Sequence, residues 1–181
     1  MSGAHGHIDP SNKKIALLIA VLALVLAFAE TLGKAAQTNA LGFNIEASNL
    51  WAFFQAKTIR QTVLRTAAEQ SSLGGTSEEA KKQIEAWKKA AQRYQTEPET
   101  GEGRDELVVR AREAEKKRDR SMAAYHNYEV ASAAVQIAIV LASAAIVTGA
   151  MVLAWIGTGL GVVGLAFCLI GFFAPTAVHL F

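Results

Sequence analysis

The chain has 181 residues, 51% of them hydrophobic and 19% charged, with a formal net charge of +2. So small an excess gives no reason to expect a nucleic-acid partner, and the one cysteine, Cys168, excludes an internal disulfide. The length predicts one compact unit rather than several domains. Residues 130–178, a run of 49, carry no charged side chain. A membrane-crossing helix needs about 20 apolar residues, so this run can hold two.

Residues 1–12, rich in Gly, Ser and His, read as a flexible tail. His5 and His7 within it are too few for a metal site. A first span is expected at 13–33. Lys13 and Lys14 before an apolar run that ends in Ala27-Phe28-Ala29 also resemble a cleavable signal. An uncleaved anchor is preferred, because two further spans already hold the chain in a bilayer. Glu30 is the ionisable group near a span core, a position that marks a functional candidate. An i,i+4 pair with Lys34 is its plainer account.

Residues 34–127 are expected to form a helical insert outside the membrane. Sixteen of the eighteen Lys and Arg lie within 34–120, against thirteen acids within 46–119. A connecting stretch is expected to residue 46, then a helix over 47–70. Gly74 and Gly75 break it. Thr76 with Glu79 makes a capping box, and the stripe Ala80, Ile84, Trp87, Ala91, Tyr94 predicts a helix to about 95. After a loop over 96–103 no breaker occurs until Gly149. One helix is therefore expected from Arg104 through the second span, 128–149, its outer part packed on the two shorter helices. A third span follows at 150–174, with a tail at 175–181. A turn at 155–159 is the alternative, but it would leave Pro175 inside the third span. The fold class is thus an all-α membrane protein, three transmembrane helices with a helical extramembrane insert between the first and second.

Each span carries a row of small residues. They are Ala16, Ala20, Ala23 and Ala27 in the first, Ala138 and Ala142 within a longer row in the second, and Gly157, Gly161, Gly164 and Gly171 in the third. In lipid, helices associate where small residues let backbones approach closely. The rows either pack the three spans together or face another subunit. Gln136 and Ser132 in the second span can hydrogen-bond to a neighbouring helix. The glycines at 157, 159, 161 and 164 match a dinucleotide fingerprint only superficially, since no βαβ unit surrounds them.

Trp51, Phe53 and Phe54 stand beside Lys57 and Arg60. Aromatic rings with basic neighbours suit a lipid headgroup layer or a partner surface. They equally suit a soluble helix packed against Trp87 and Tyr94. The stretch ASNLWAFFQAKTIR, residues 47–60, resembles the signature of an uncharacterised bacterial membrane family, the domain-of-unknown-function 4337 family. The resemblance extends over most of the chain and implies a bacterial inner-membrane protein without assigning an activity. The uncharged segment 148–152 departs from the arginines expected there. Charges near the spans conflict over the side of the insert: Lys13 and Lys14 favour the periplasm, while Lys116, Lys117, Arg118 and Arg120 favour the cytoplasm. The resemblance tips the reading to the periplasm.

No acid–base pair, nucleophile, metal box or phosphate loop is present in the sequence, so neither an enzyme nor a cofactor is expected, and no small-molecule substrate is evident. The function expected is a structural, scaffold or accessory subunit. Its partners are the bilayer and either further copies or a larger membrane complex. The alternative is a small channel or transporter component.

Overall fold

The computed structural model describes residues 10–74 and 77–178. Among these the protein is entirely helical: α1 (Pro10–Gly74), α2 (Glu78–Gln95), α3 (Arg104–Thr148) and α4 (Met151–Phe173). α1, α3 and α4 are each long and apolar enough to cross a membrane. The predicted tail at 1–12 is corrected at its end, since α1 already includes Pro10; residues 1–9, with His5 and His7, lie outside the described residues, as does His179.

The connector expected at 34–46 is also corrected, because α1 runs through it as helix. The segment has no proline. Its one glycine, Gly42, costs a helix only about 1 kcal/mol, and its alanines are strong helix formers. Thr31 and Thr38 turn their hydroxyls onto the carbonyls of Ala27 and Lys34, at 2.7 and 2.9 Å. Their polar atoms are thereby satisfied within the helix.

The start of α2 moves by one residue from the expected box. Ser77 is the N-cap, and its hydroxyl accepts the Ala80 N–H at 3.1 Å; Thr76 lies outside the described residues. Glu78 and Glu79 occupy the first turn, where a negative charge suits the helix dipole. α3 is the single uninterrupted helix expected from Arg104. Gly149 then takes a left-handed φ of 72°, and α4 begins two residues later. Pro175 follows the end of α4, as anticipated.

The chain divides into two compact units, not one as its length suggested. α1 and α3 contribute to both. Among the described residues the first unit comprises 10–40 and 119–178, and the second comprises 41–118.

The first unit is a bundle of α1, α3 and α4. α1 buries Ile15, Leu22, Ala29 and Ala36, seven residues apart. α3 buries Tyr128, Ala131, Val135, Ala138, Ala142 and Ala145, and α4 buries Gly157, Gly161, Gly164, Cys168 and Gly171. The alternating spacings of three and four are those of ridges packed into grooves at a shallow, coiled-coil-like angle. Asn127 is fully buried and donates its side-chain amide to the Ala123 carbonyl at 2.8 Å and the Pro175 carbonyl at 3.0 Å. It thereby ties α3 to the chain beyond α4.

The second unit packs the outer parts of α1 and α3 with α2. Ala47, Leu50, Leu107, Ala111 and Ala114 form its apolar centre, with Trp51, Phe53 and Phe54 against them. Gly103 is buried in the loop before α3, where a Cβ would lie 2.5 Å from the Glu97 nitrogen and 2.7 Å from the Thr96 Cα. In the same loop the Arg93 guanidinium, helped by Lys57, holds the Glu97 carboxyl below the usual carboxylate range.

Candidate functional site

The small-residue rows divide sharply once folded. The α4 glycines face inward. A Cβ at Gly157 would sit 2.9 Å from the Ala138 carbonyl oxygen, and one at Gly164 would sit 3.0 Å from that of Ala131. Gly161 receives the Leu22 side chain, and Gly171 receives Tyr128. Ala138 and Ala142 are fully buried on the matching face of α3. On α1 the outcome is opposite. Ala16, Ala20, Ala23 and Ala27 are all exposed, and the face that packs within the unit is the one bearing Ile15, Leu22 and Ala29.

Next to this outward face lies a polar cluster inside the first unit. The Gln136 amide donates to Glu30 Oε1 at 3.3 Å and to the Ser132 hydroxyl at 3.2 Å. Glu30 is thus joined to α3, and the expected pair with Lys34 is not formed among the described residues. Nearby, the Tyr125 hydroxyl donates to Glu129 at 3.1 Å. Together with Lys34 and Gln37 these side chains line an open groove of about 410 Å³ between α1 and α3. Gly33 forms part of its wall; a Cβ there would come within 3.3 Å of the Tyr128 Cβ, so its absence lets the helices close up.

The aromatic stretch goes inward. Trp51 meets Phe54 edge-to-face at 5.6 Å, and its indole N–H donates to Glu115 at 2.9 Å. Lys57 is buried beside Glu97 at 3.4 Å and Glu102 at 3.8 Å. Its ammonium lies 5.1 Å from the Phe53 ring centre and 5.7 Å from that of Tyr94. Arg60 alone of the five points outward. Sequence reasoning missed Gln61 as well. It is buried, donates to the Ala91 carbonyl and the Gln95 side chain at 3.0 Å each, and accepts from Arg104. Its place in the buried register of α1, four residues after Lys57, was the available signal.

Among the described residues no group of His, Cys, Asp or Glu could hold a metal. The hydroxyls of Ser143, Thr148 and Thr158 are each turned onto the carbonyl four residues back, at 2.8 Å.

The family model for the domain of unknown function 4337 matches residues 11–174, nearly the whole chain. The chain belongs to this DUF4337 family. The match takes in the apolar bundle, the second unit and the 47–60 stretch alike. No curated protein and no solved structure shows significant similarity to this DUF4337 chain.

Proposed function

We propose that the chain is a non-enzymatic integral membrane protein of the bacterial inner membrane. In this reading α4 and the apolar parts of α1 and α3 cross the bilayer, and the protein serves as a structural or accessory subunit that pairs with a second copy of itself. The observation that carries this reading is the outward row Ala16, Ala20, Ala23 and Ala27. Internal packing uses the small residues of α3 and α4 and leaves this row uncovered. Small residues on a lipid-facing helix permit the close approach on which association in a bilayer depends. Copies in one membrane share an orientation, so row meets row in register around a two-fold axis.

A second feature supports association. Leu41, Ile45, Ile59 and Val63 on the second unit's part of α1 are 56–65% exposed, with Ala52 exposed among them. Apolar side chains clustered on a water-facing surface are characteristic of interaction sites. The channel alternative is weaker, because the hydroxyls of Ser143, Thr148 and Thr158 are bonded within their own helices and Gln136 is engaged by Glu30.

The protein in nanodiscs should have the mass of a dimer or larger homo-oligomer. Ala20→Leu with Ala23→Leu should reduce it to monomer while leaving helicity unchanged. A monomeric unaltered protein would overturn the reading.

Lys13 and Lys14 before the first span, with the first helix dominating orientation, support a periplasmic second unit. A reporter active only in the periplasm should be active when fused after Gly75; activity of a cytoplasm-only reporter at that site would reverse the assignment.

A further inference from the structure

We propose that the groove between α1 and α3 in the first unit binds the headgroup of an amine-bearing phospholipid. The inference rests on the membrane reading above and goes beyond self-association. Glu30 lies two residues before Leu32, the last residue of the apolar run of α1, and Glu129 immediately precedes the charge-free run of α3. The groove therefore straddles the apolar boundary of both helices, the depth at which headgroups lie.

Its chemistry is asymmetric. Glu30 and Glu129 supply two carboxylates, and Lys34 supplies one ammonium. Gln136 holds Glu30, while Glu129 accepts from Tyr125 and has the His126 imidazole 3.6 Å from its other oxygen. Among the described residues neither acid is paired with Lys34. A carboxylate at the apolar boundary is partly desolvated, and a cation beside it offsets that cost. A headgroup that carries an ammonium beside its phosphate meets both demands. The ammonium goes to Glu30 and Glu129, and the phosphate goes to Lys34. A headgroup with phosphate and no amine leaves Glu30 without a cation and brings a further negative charge to a groove lined by two carboxylates and one ammonium. The volume of about 410 Å³ falls within the range of small-ligand sites.

The test is lipid retention. The full-length protein is reconstituted in nanodiscs of phosphatidylethanolamine and phosphatidylglycerol in equal parts, then released, and the retained lipids are counted by native mass spectrometry. Phosphatidylethanolamine should be retained about tenfold over phosphatidylglycerol, the ratio expected for one or two charge-assisted contacts. Glu30→Gln with Glu129→Gln should bring the ratio to about one, with unchanged thermal unfolding. Ala20→Leu with Ala23→Leu should leave the ratio intact, which separates this site from the self-association face. Soluble phosphoethanolamine at millimolar concentration should not displace the lipid, because it lacks the chains that anchor the headgroup at this depth. Equal retention of both lipids by the unaltered protein would overturn the site, as would a preference that survives the double glutamine change. A chain that fails to enter nanodiscs at all would instead overturn the membrane reading.

Discussion

Gly164→Leu should unfold the first unit at a markedly lower temperature than the unaltered protein, while Val162→Leu should change it little. The two positions lie on one helix, two residues apart, and differ in what they face. A Cβ at 164 would stand 2.5 Å from Val135 Cγ2 and 3.0 Å from the Ala131 carbonyl oxygen. The second contact is backbone, which cannot rotate away. Replacing glycine within a helix gains up to about 1 kcal/mol of propensity. Overpacking a closed site costs about 1–3 kcal/mol, and a leucine adds three carbons beyond the Cβ that already clashes. The steric cost therefore wins. Val162 is 62% exposed, and an added carbon there should stay within about 0.5 kcal/mol.

Gly161→Leu should fall between them. Its Cβ would meet only the far end of Leu22, at 2.5 Å from Cδ2, and that side chain can adopt another rotamer. The sequence alone ranks Gly161 and Gly164 together; the facing atoms separate them. Thermal unfolding of the full chain in mild detergent, followed by helical circular dichroism, gives the order. Equal mild effects at 161, 162 and 164 would remove close backbone contact as the reason for the glycine row.

What could be read from the sequence depended on whether the pattern named its own partner. In α4, Gly157, Gly161, Gly164, Cys168 and Gly171 keep an unbroken alternation of four and three, and α3 carries alanines at similar spacing, so one small-residue face on each helix was visible, though not what it would meet. The α1 alanines look equivalent in sequence, yet they point outward. In α1 the inward positions are Ile15, Leu22 and Ala29, a seven-residue recurrence hidden in a helix apolar on every side. Small residues mark where close approach is possible, not which neighbour makes it.

The break expected at 34–46 failed for a different reason. The segment between the span and the 47–60 stretch holds no residue that stops a helix, so α1 continues through it. In the second unit, Glu115 breaks the apolar pattern of α3 and serves as acceptor for the Trp51 indole. Lys57 could be read as a surface cation from its type alone. Its burial follows from two carboxylates and two aromatic rings that come from the loop after α2 and from α1 and α2, which spacing along one helix cannot reveal.

The same buried polar layer gives the second large expected effect. Gln61→Ala should destabilise the second unit by about 2–4 kcal/mol, combining unsatisfied polar groups with a cavity. Gln61 uses its amide on both sides, donating to the Ala91 carbonyl and the Gln95 side chain and accepting from Arg104. Arg104 already has a buried Nε without a hydrogen-bond partner, so losing the Gln61 oxygen leaves its guanidinium bonded through Nη1 to Gln95 at 2.9 Å. Its packing 4.9 Å above the Phe54 ring centre would remain, but a cation–π contact does not replace a lost acceptor. Gln61→Leu separates the two causes. It fills most of the space and restores no hydrogen bond, so it should still cost about 1–3 kcal/mol. Gln55→Ala, on the exposed side of the same helix, should stay within about 0.5 kcal/mol. Denaturant titration followed by the fluorescence of Trp51 and Trp87, with Trp155 replaced by phenylalanine, reports on this unit. If Gln61→Leu matched the unaltered protein, the layer would act through volume alone, and the hydrogen bonds across α1, α2 and α3 would contribute nothing to holding the unit together.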